Sequence, residues 1–163
     1  MNIVLVGMPG TGKTTIGELL AKKTGAEFYD ADSLIEKSQS MCIAEIFKTK
    51  GEKYFRKIEA DIIRNIPSDN TVVSLGGGAF ENSDTRDFLL SGNNTVIYLK
   101  TSAQKIYERI KNDTTRPLLT DNMNIETIQN MLNIREKNYK LAHYTVLTDN
   151  RSADEIVNEI LGK

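Results

Sequence analysis

The chain has 163 residues, of which 39% are hydrophobic and 26% are charged, and its formal net charge is -1. These values suit one soluble domain with a hydrophobic core, and they exclude the strongly basic field that indicates a nucleic-acid partner. One cysteine and one histidine exclude an internal disulfide and a Cys/His zinc cluster, and the short apolar runs predict a cytoplasmic protein without a signal peptide or membrane span.

Predicted strands and helices alternate along the chain. Apolar runs predict strands at 3–6, 27–29, 72–75, 96–99 and 145–147, and helical patterns occur at 14–24, 43–48, 52–66, 102–111, 125–139 and 153–161. Continuous apolar strands suit a sheet that is covered on both faces. The alternation therefore predicts an α/β fold of three layers, with a five-stranded parallel sheet between two layers of helices.

The first strand leads into a phosphate-binding loop. Residues 7–14 read GMPGTGKT, which matches the pattern GxxxxGK[ST] in full and lies between a strand and an amphipathic helix. The glycines allow backbone N–H groups to face one anion, and the helix start adds its positive dipole end. Lys13 is expected to reach the β and γ phosphates, and the Thr14 hydroxyl is expected to ligate Mg²⁺. The motif predicts nucleotide binding but not the fate of the nucleotide.

Kinases of small molecules and switch or motor NTPases both use such a loop. A GTPase would carry an Asn-Lys-x-Asp motif late in the chain, and this sequence has none. A motor ATPase usually ends a neighbouring strand in an acidic residue, whereas the strand at 72–75 is followed by Gly76, Gly77 and Gly78. Glycines let backbone N–H groups approach a substrate, although three of them also suit a tight strand-end turn. The pattern favours a small-molecule kinase.

Two carboxylates, Asp30 and Asp32, lie where the second strand ends and a helix begins. Asp30 is expected to face Thr14 and Mg²⁺, and Asp32 is expected to face a cleft beside the phosphates. The alternative is a helix N-cap with a favourable contact to the helix dipole.

Six segments occur in the order and spacing of the shikimate kinase family. They are the phosphate-binding loop, Phe28-x-Asp30-x-Asp32-x-x-Ile35-Glu36, Gly51-Glu52-x-x-Phe55-Arg56-x-x-Glu59, Gly76-Gly77-Gly78-Ala79, Arg116-Pro117-Leu118-Leu119 and Arg135-x-x-x-Tyr139. The chain resembles this family from Met1 to about Tyr144, and we expect the resemblance to continue to the end. It departs from it where family members often have Pro-Leu-Tyr, because this chain has Lys137, Asn138 and Tyr139.

The resemblance implies an adenylate-kinase-like P-loop fold and a monomeric enzyme. The implied reaction transfers phosphate from ATP to the 3-hydroxyl of shikimate, with Mg²⁺ as cofactor. This reaction is a step of aromatic amino acid biosynthesis. It implies a core at 1–30, 70–111 and 140–163, a substrate-binding region at 31–66 and a lid at about 112–124. Shikimate contacts are implied for Asp32, Arg56, Gly77, Gly78 and Arg135. ATP contacts are implied for Gly10, Thr11, Gly12, Lys13, Thr14, Thr15, Arg109, Arg116 and Arg151, and metal contacts for Thr14 and, through water, Asp30. Lys13, Asp32 and Arg116 are the implied catalytic residues.

The chemistry of two arginines agrees with these roles, because guanidinium groups match a carboxylate such as that of shikimate. Arg135 belongs to a helical stripe that is otherwise apolar, made of Ile125, Ile128, Leu132, Arg135 and Tyr139. Arg56 has Glu59 one turn further on, which either fixes the guanidinium for an anion or forms a plain surface ion pair. Asp32 is expected to orient the attacking hydroxyl first and to act as a base second.

The segment at 112–124 is polar, contains a proline and interrupts the helical pattern, as functional loops often do. We expect it to close over bound nucleotide with Arg116 against the γ-phosphate; the alternative for Arg116 is a solvated loop arginine.

Cys42 is expected to be a buried thiol and His143 to be structural. A gluconate kinase is the nearest alternative function, and a regulatory module without catalysis is a second.

Overall fold

Strands and helices follow one another along the chain, with two helices in succession between the second and third strands. A computed structural model describes residues 1–111 and 123–163. The strands are β1 (Asn2–Val6), β2 (Glu27–Asp30), β3 (Thr71–Ser74), β4 (Thr95–Lys100) and β5 (Tyr144–Leu147). The helices are α1 (Lys13–Thr24), α2 (Ala31–Gln39), α3 (Ile43–Asn65), α4 (Ser83–Ser91), α5 (Ala103–Ile110), α6 (Ile125–Tyr139) and α7 (Ala153–Leu161), with a 3₁₀ turn at Ala79–Glu81.

The five strands form one sheet in the order β2-β3-β1-β4-β5, and each pairing is parallel. The predicted five-stranded parallel sheet is therefore confirmed. β1 lies at the centre, where Leu5 pairs with Ser74 on one side and with Ile97 on the other. The order of strands reverses at β1, and ligands of open α/β sheets bind beyond the carboxyl ends of the strands at such a point.

The sheet is covered on both faces, as its apolar strands predict. Val4 and Val6 point into a core cluster that includes residues of α3, α4, α5 and α6. Ile3 and Leu5 point the other way, into a cluster with α1 and α7. Alternate residues of β1 thus serve opposite layers, because successive side chains of a strand face opposite sides of the sheet.

Helices α2 and α3 pack around a small core of their own, made of Ile35, Ile46 and Phe55. Gly51 interrupts α3 with φ 84° and ψ 167°, so the chain turns between two helical parts as the predicted break between 48 and 52 requires. The division of the chain into a core, a substrate-binding region and a lid stays a prediction.

Three details differ from the sequence-based expectations. Helix α4 was not predicted; Asn82 caps it by accepting the Thr85 N–H at 2.9 Å, but its few apolar residues are adjacent and show no helical period. Cys42 is exposed, so the expectation of a buried thiol is wrong. Ile125 is 38% exposed because it begins α6, outside the buried part of the stripe.

His143 has a structural contact, as expected. Its Nδ1 accepts the Val96 N–H at 3.0 Å and so ties the start of β5 to β4. Among the helices in the described residues, none is both long and apolar enough to cross a membrane.

Candidate active site

A cleft of about 1060 Å³ lies at the carboxyl edge of the sheet and extends toward α2 and α3. The predicted site residues within 1–111 and 123–163 all line it, from both the nucleotide set and the substrate set. They are Gly10, Thr11, Gly12, Lys13, Thr14, Thr15, Asp30, Asp32, Arg56, Gly77, Gly78, Arg109, Arg135 and Arg151. Arg116 and most of the predicted lid lie outside the described residues.

The phosphate-binding loop follows β1 and ends in α1. Gly10 and Gly12 have φ of 82° and 89°, which favour glycine and allow the loop to curl around a central space. A Cβ on Gly10 would lie 2.6 Å from Cγ2 of Ile110, so α5 packs directly against the loop. The first turn of α1 has neither an acidic residue nor a side-chain cap, which leaves its N–H groups and positive end to an anion.

Lys13 is largely buried at the start of α1 and bends back over the loop. Its ammonium group donates hydrogen bonds to the carbonyl oxygens of Gly7 and Met8, both at 2.9 Å. The charge is therefore held at the carboxyl end of β1, inside the loop that would surround the phosphates. Thr11 is buried beside it.

Thr14 and Asp30 meet at the nucleotide end of the cleft. The Thr14 hydroxyl donates to Asp30 Oδ2 at 2.9 Å, while Asp30 Oδ1 accepts the Ser33 N–H at 3.0 Å and caps α2. Asp30 therefore caps α2 with one oxygen and faces Thr14 with the other, while its role toward Mg²⁺ stays a prediction. Hard oxygen donors of this type suit Mg²⁺, which usually binds one or two protein groups together with substrate phosphates.

Two arginines reach the cleft from the side of α5 and α7. Arg109 donates to the carbonyl oxygen of Gly10 at 3.2 Å, which places its guanidinium on the outside of the phosphate-binding loop. Arg151 lies 2.5 Å from the carboxylate of Glu159 and also donates to Leu147 O at 2.9 Å. The negative charge of Glu159 neutralises the positive charge of Arg151. The Arg151 guanidinium therefore suits packing against a planar group better than pairing with a phosphate.

The acceptor end of the cleft, as we call the end predicted to hold the phosphate acceptor, is built on the three glycines after β3. A Cβ on Gly76 would lie 2.6 Å from Oδ1 of Asp32 and 3.2 Å from Oε2 of Glu59, so two carboxylates converge above this residue. Asp32 comes from α2 and Glu59 from α3, which are separated from β3 in sequence. The glycine lets both approach the backbone.

The next two glycines each lie under an arginine. A Cβ on Gly78 would overlap the guanidinium of Arg56, and a Cβ on Gly77 would lie 3.2 Å from Nη1 of Arg135. The turn is therefore packed as closely as glycine allows, and a ligand anion would meet both guanidinium groups beside the backbone N–H groups. This observation favours the substrate-site interpretation of the triple glycine over a turn without a ligand.

Arg56 is fixed by Glu59, its partner one turn later in α3. The guanidinium donates to Glu59 Oε1 at 2.8 Å, and only 3% of the glutamate side chain is exposed. The alternative of a plain surface ion pair is therefore excluded. Burial raises the pKa of Glu59 to about 7, and the positive charge of Arg56 opposes that rise. Within the described residues, Glu59 Oε2 has no hydrogen-bond partner.

Arg135 lies on the inward face of α6, as its spacing predicts. Ile128, Leu132 and Tyr139 are buried at 0%, 6% and 0% exposure, and Arg135 itself is half-buried where this face meets the cleft. Fewer waters surround a half-buried guanidinium than one at the surface, so its attraction to a ligand anion is screened less.

The sequence-based expectations did not assign a role to the apolar wall of the acceptor cleft. Phe47 and Phe55 line the cleft with their ring centroids 4.7 Å apart, and Ile43 and Ala44 continue the wall. Both phenylalanines lie in predicted helices, and Phe55 directly precedes Arg56. Their helical spacing of eight residues signals one face, although Gly51 lies between them and changes the chain direction.

Comparisons with known proteins identify the family of this chain. A family model described as shikimate kinase matches residues 9–163. The shikimate kinase of Persephonella marina is 44% identical over 163 residues, which cover 99% of this chain and 98% of that protein. A structure of shikimate kinase from Acinetobacter baumannii in complex with shikimate is 36% identical, with a TM-score of 0.92 over 98% of this chain and 90% of that chain.

A gluconokinase from Sinorhizobium meliloti is 20% identical, with a TM-score of 0.57 over 99% of this chain and 89% of that chain, and it shares the fold alone. The family match covers nearly the whole sequence, and the full-length relatives are well above the identity at which a family is recognised. The chain belongs to the shikimate kinase family.

Proposed function

We propose that this chain transfers the γ-phosphoryl group of ATP to the 3-hydroxyl of shikimate, giving shikimate 3-phosphate and ADP. The observation that carries this proposal is the pair of guanidinium groups, Arg56 and Arg135, against Gly78 and Gly77 in the cleft that also contains the phosphate-binding loop. Two guanidinium groups match a carboxylate better than they match a neutral polyol. Full-length relatives named shikimate kinase support the same acceptor.

Asp32 is the residue proposed to handle the acceptor hydroxyl. The hydroxyl oxygen forms a bond to the γ-phosphorus, the bond to the β,γ-bridging oxygen breaks, and the hydroxyl proton passes to Asp32 or to solvent. Because the transition state of phosphoryl transfer is loose, orientation and charge neutralisation outweigh proton abstraction. Asp32 therefore orients the hydroxyl first and serves as a base second.

The nucleotide end is proposed to bind ATP through the loop and its flanking arginines. Backbone N–H groups from Gly10 to Thr15 and the Lys13 ammonium group surround the β and γ phosphates. Arg109 and Arg151 also line the cleft, and they are proposed to lie beside the adenosine. Arg116 is proposed, on its sequence motif alone, to neutralise charge on the transferred phosphate.

Thr14 and Asp30 fit a magnesium ion bound with the nucleotide. Their side-chain oxygens lie 2.9 Å apart beside the loop, and a site of this kind is completed by phosphate oxygens and waters. When bound, Mg²⁺ would neutralise negative charge on the β and γ phosphates. Thr14 would hold the ion directly, and Asp30 would hold it through water.

The nearest alternative remains phosphorylation of gluconate, which also has a carboxylate and several hydroxyls. The distant gluconokinase supports only a shared fold, whereas the relatives of high identity are shikimate kinases. A monomeric state and a cytoplasmic location stay predictions of the sequence.

A coupled ADP-release assay over a panel of acceptors tests the proposal. Shikimate, the uncharged shikimate amide and gluconate are compared at equal concentration with ATP and Mg²⁺. Shikimate should be turned over, the amide should be used at least about tenfold less well because it lacks a charge-assisted hydrogen bond, and gluconate should be inactive. Faster turnover of gluconate than of shikimate would overturn the proposal.

Replacement of Arg135 by Leu separates the two ends of the cleft. The KM for shikimate should rise by about tenfold or more while the KM for ATP stays near that of the parent, since one charge-assisted hydrogen bond is worth roughly 1.5–3 kcal/mol. Arg64→Leu, at an exposed arginine near the end of α3, is the matched control. A rise in the KM for ATP instead would assign Arg135 to the nucleotide.

A further inference from the structure

Two residues on one face of α6, Tyr139 and Arg135, lie against Gly77. The hydroxyl of Tyr139 donates a hydrogen bond to the carbonyl oxygen of Gly77. The guanidinium of Arg135, one turn earlier on the helix, lies against Gly77, with Nη1 3.2 Å from the position of a Cβ there. The backbone of the glycine turn and the arginine that faces it are therefore connected through Tyr139.

The Tyr139 ring has little freedom to move. It is fully buried and stacks on Tyr98 of β4, with 4.9 Å between ring centroids and 22° between ring planes. Protein interiors are close-packed, so rotation of the ring would open a cavity. Burial also raises the pKa of Tyr139 to about 12, which keeps its hydroxyl protonated as a hydrogen-bond donor at neutral pH.

A second contact joins the same two parts of the molecule. Asn138 Nδ2 donates to Oε1 of Glu81 at 3.0 Å, and Glu81 belongs to the 3₁₀ turn that follows the three glycines. Asn138 stands where family members often have leucine, so the departure noted in the sequence provides a polar contact between α6 and the 3₁₀ turn after the glycines. Adjacent residues of α6 thus contact the glycine turn and the 3₁₀ turn that follows it.

We propose that Tyr139 is a positioning residue for the acceptor site, where it sets the separation between Arg135 and the Gly77–Gly78 turn, with Asn138 in a supporting role. This inference rests on the proposed function, because the spacing matters only if an anionic acceptor binds between these groups. Loss of the tyrosine hydroxyl would leave the Gly77 carbonyl oxygen without its partner. The turn could then shift relative to Arg135, and binding groups that are misplaced by a fraction of an ångström lose affinity.

Tyr139→Phe and Tyr98→Phe form a matched pair of variants. Both remove one hydroxyl from the same buried ring stack, but only the Tyr139 hydroxyl contacts Gly77, while the Tyr98 hydroxyl faces Glu136. Tyr139→Phe should raise the KM for shikimate about tenfold, because a shifted turn misplaces the groups that bind the acceptor, with the KM for ATP within about twofold of the parent. Tyr98→Phe should leave both KM values within about twofold.

A double variant tests whether Tyr139 acts through Arg135. If it does, Tyr139→Phe should add little to the effect of Arg135→Leu, because coupled residues are not additive. Asn138→Leu is a second test, with an expected rise of about twofold to threefold in the KM for shikimate. If Tyr139→Phe does not fold, this variant tests whether contacts from α6 position the acceptor site. An unchanged KM for shikimate, an equal rise for ATP, or the same effect in Tyr98→Phe would each overturn the inference.

The parent protein separates failure of this inference from failure of the proposed function. If the parent does not phosphorylate shikimate, the proposed function is wrong, and the variants are then compared with the acceptor that the panel identifies. If the parent uses shikimate but Tyr139→Phe behaves like Tyr98→Phe, only the positioning role is wrong.

Discussion

Glu59 accepts a hydrogen bond from Arg56 at 2.8 Å while almost its whole side chain is buried. Two opposing effects act on the pKa of Glu59, because burial disfavours the ionised carboxylate and the Arg56 guanidinium favours it. Burial has the larger effect, and it raises the pKa of Glu59 to about 7 from the ordinary 4.5. The carboxylate that holds Arg56, the proposed substrate arginine, is therefore expected to change its charge near neutral pH.

This pKa predicts how stability depends on pH. Between about pH 4.5 and pH 7 the folded protein holds a proton on Glu59 that the unfolded chain has released. The free energy of unfolding should therefore fall as pH rises through this range, and the contribution is fully present only below about pH 4.5. At about 1.4 kcal/mol per pKa unit, the loss is on the order of 3 kcal/mol.

Glu59→Gln should remove this part of the pH dependence, because glutamine does not titrate. Urea unfolding of parent and variant at pH 5, 6, 7 and 8 measures the difference in slope. Glu18→Gln, at an exposed position of α1, should retain the parental slope. A slope in Glu59→Gln equal to that of the parent would show that Glu59 does not titrate in this range.

Gly78→Ala is predicted to damage acceptor binding by displacing one side chain. The backbone at Gly78 has φ -98° and ψ -5°, which alanine adopts without strain, but the new Cβ would overlap the Arg56 guanidinium. The KM for shikimate should rise about tenfold or more, with little change in the KM for ATP. Steady-state kinetics with each substrate varied in turn provides the measurement.

Gly162→Ala is the matched control for that substitution. Gly162 has nearly the same backbone conformation, with φ -84° and ψ -5°, and its Cβ would meet only backbone oxygens at 3.5 Å or more. Its kinetics should equal those of the parent. If both variants behaved alike, the close approach of Arg56 to Gly78 would have no role in binding.

Lys13→Ala should reduce turnover by about 10²–10³ or more, the typical cost of one lost donor to developing charge. Far-ultraviolet circular dichroism should remain that of the parent, because the lysine ammonium group donates to the carbonyl oxygens of Gly7 and Met8, which lie in the loop and not in a helix or strand interior. Lys22→Ala, in the last turn of the same helix, is the control. Near-parental turnover in Lys13→Ala would refute the phosphate-binding role.

Asp30→Asn should raise the Mg²⁺ concentration needed for half-maximal turnover by severalfold, because one negative charge near the metal is lost. The asparagine oxygen can still accept the Ser33 N–H, so the cap of α2 should survive. Asp149→Asn is the control, since Asp149 also accepts a backbone N–H, from Ser102 at 2.9 Å, but in a different loop. Identical Mg²⁺ titrations for Asp30→Asn and the parent would contradict the assignment.

The sequence by itself determined the sheet and the nucleotide end of the site. Apolar strands separated by helices predict a parallel sheet that is covered by a layer of helices on each face. The nucleotide residues from Gly10 to Thr15 are contiguous in the chain, so their spacing already specifies how they surround a phosphate. Arg135 could be predicted to face inward because a helix places residues three and four apart on one face.

Only the tertiary structure decided how the acceptor end is assembled. Asp32, Glu59 and Gly76 come from three different elements, and their convergence depends on how α2 and α3 pack beside β3. The same packing distinguished a buried Arg56–Glu59 pair from a surface pair, since spacing along a helix is identical in the two cases. It also revealed Tyr139 under the glycine turn, because a hydrogen bond between residues 62 positions apart leaves no periodic trace in the sequence.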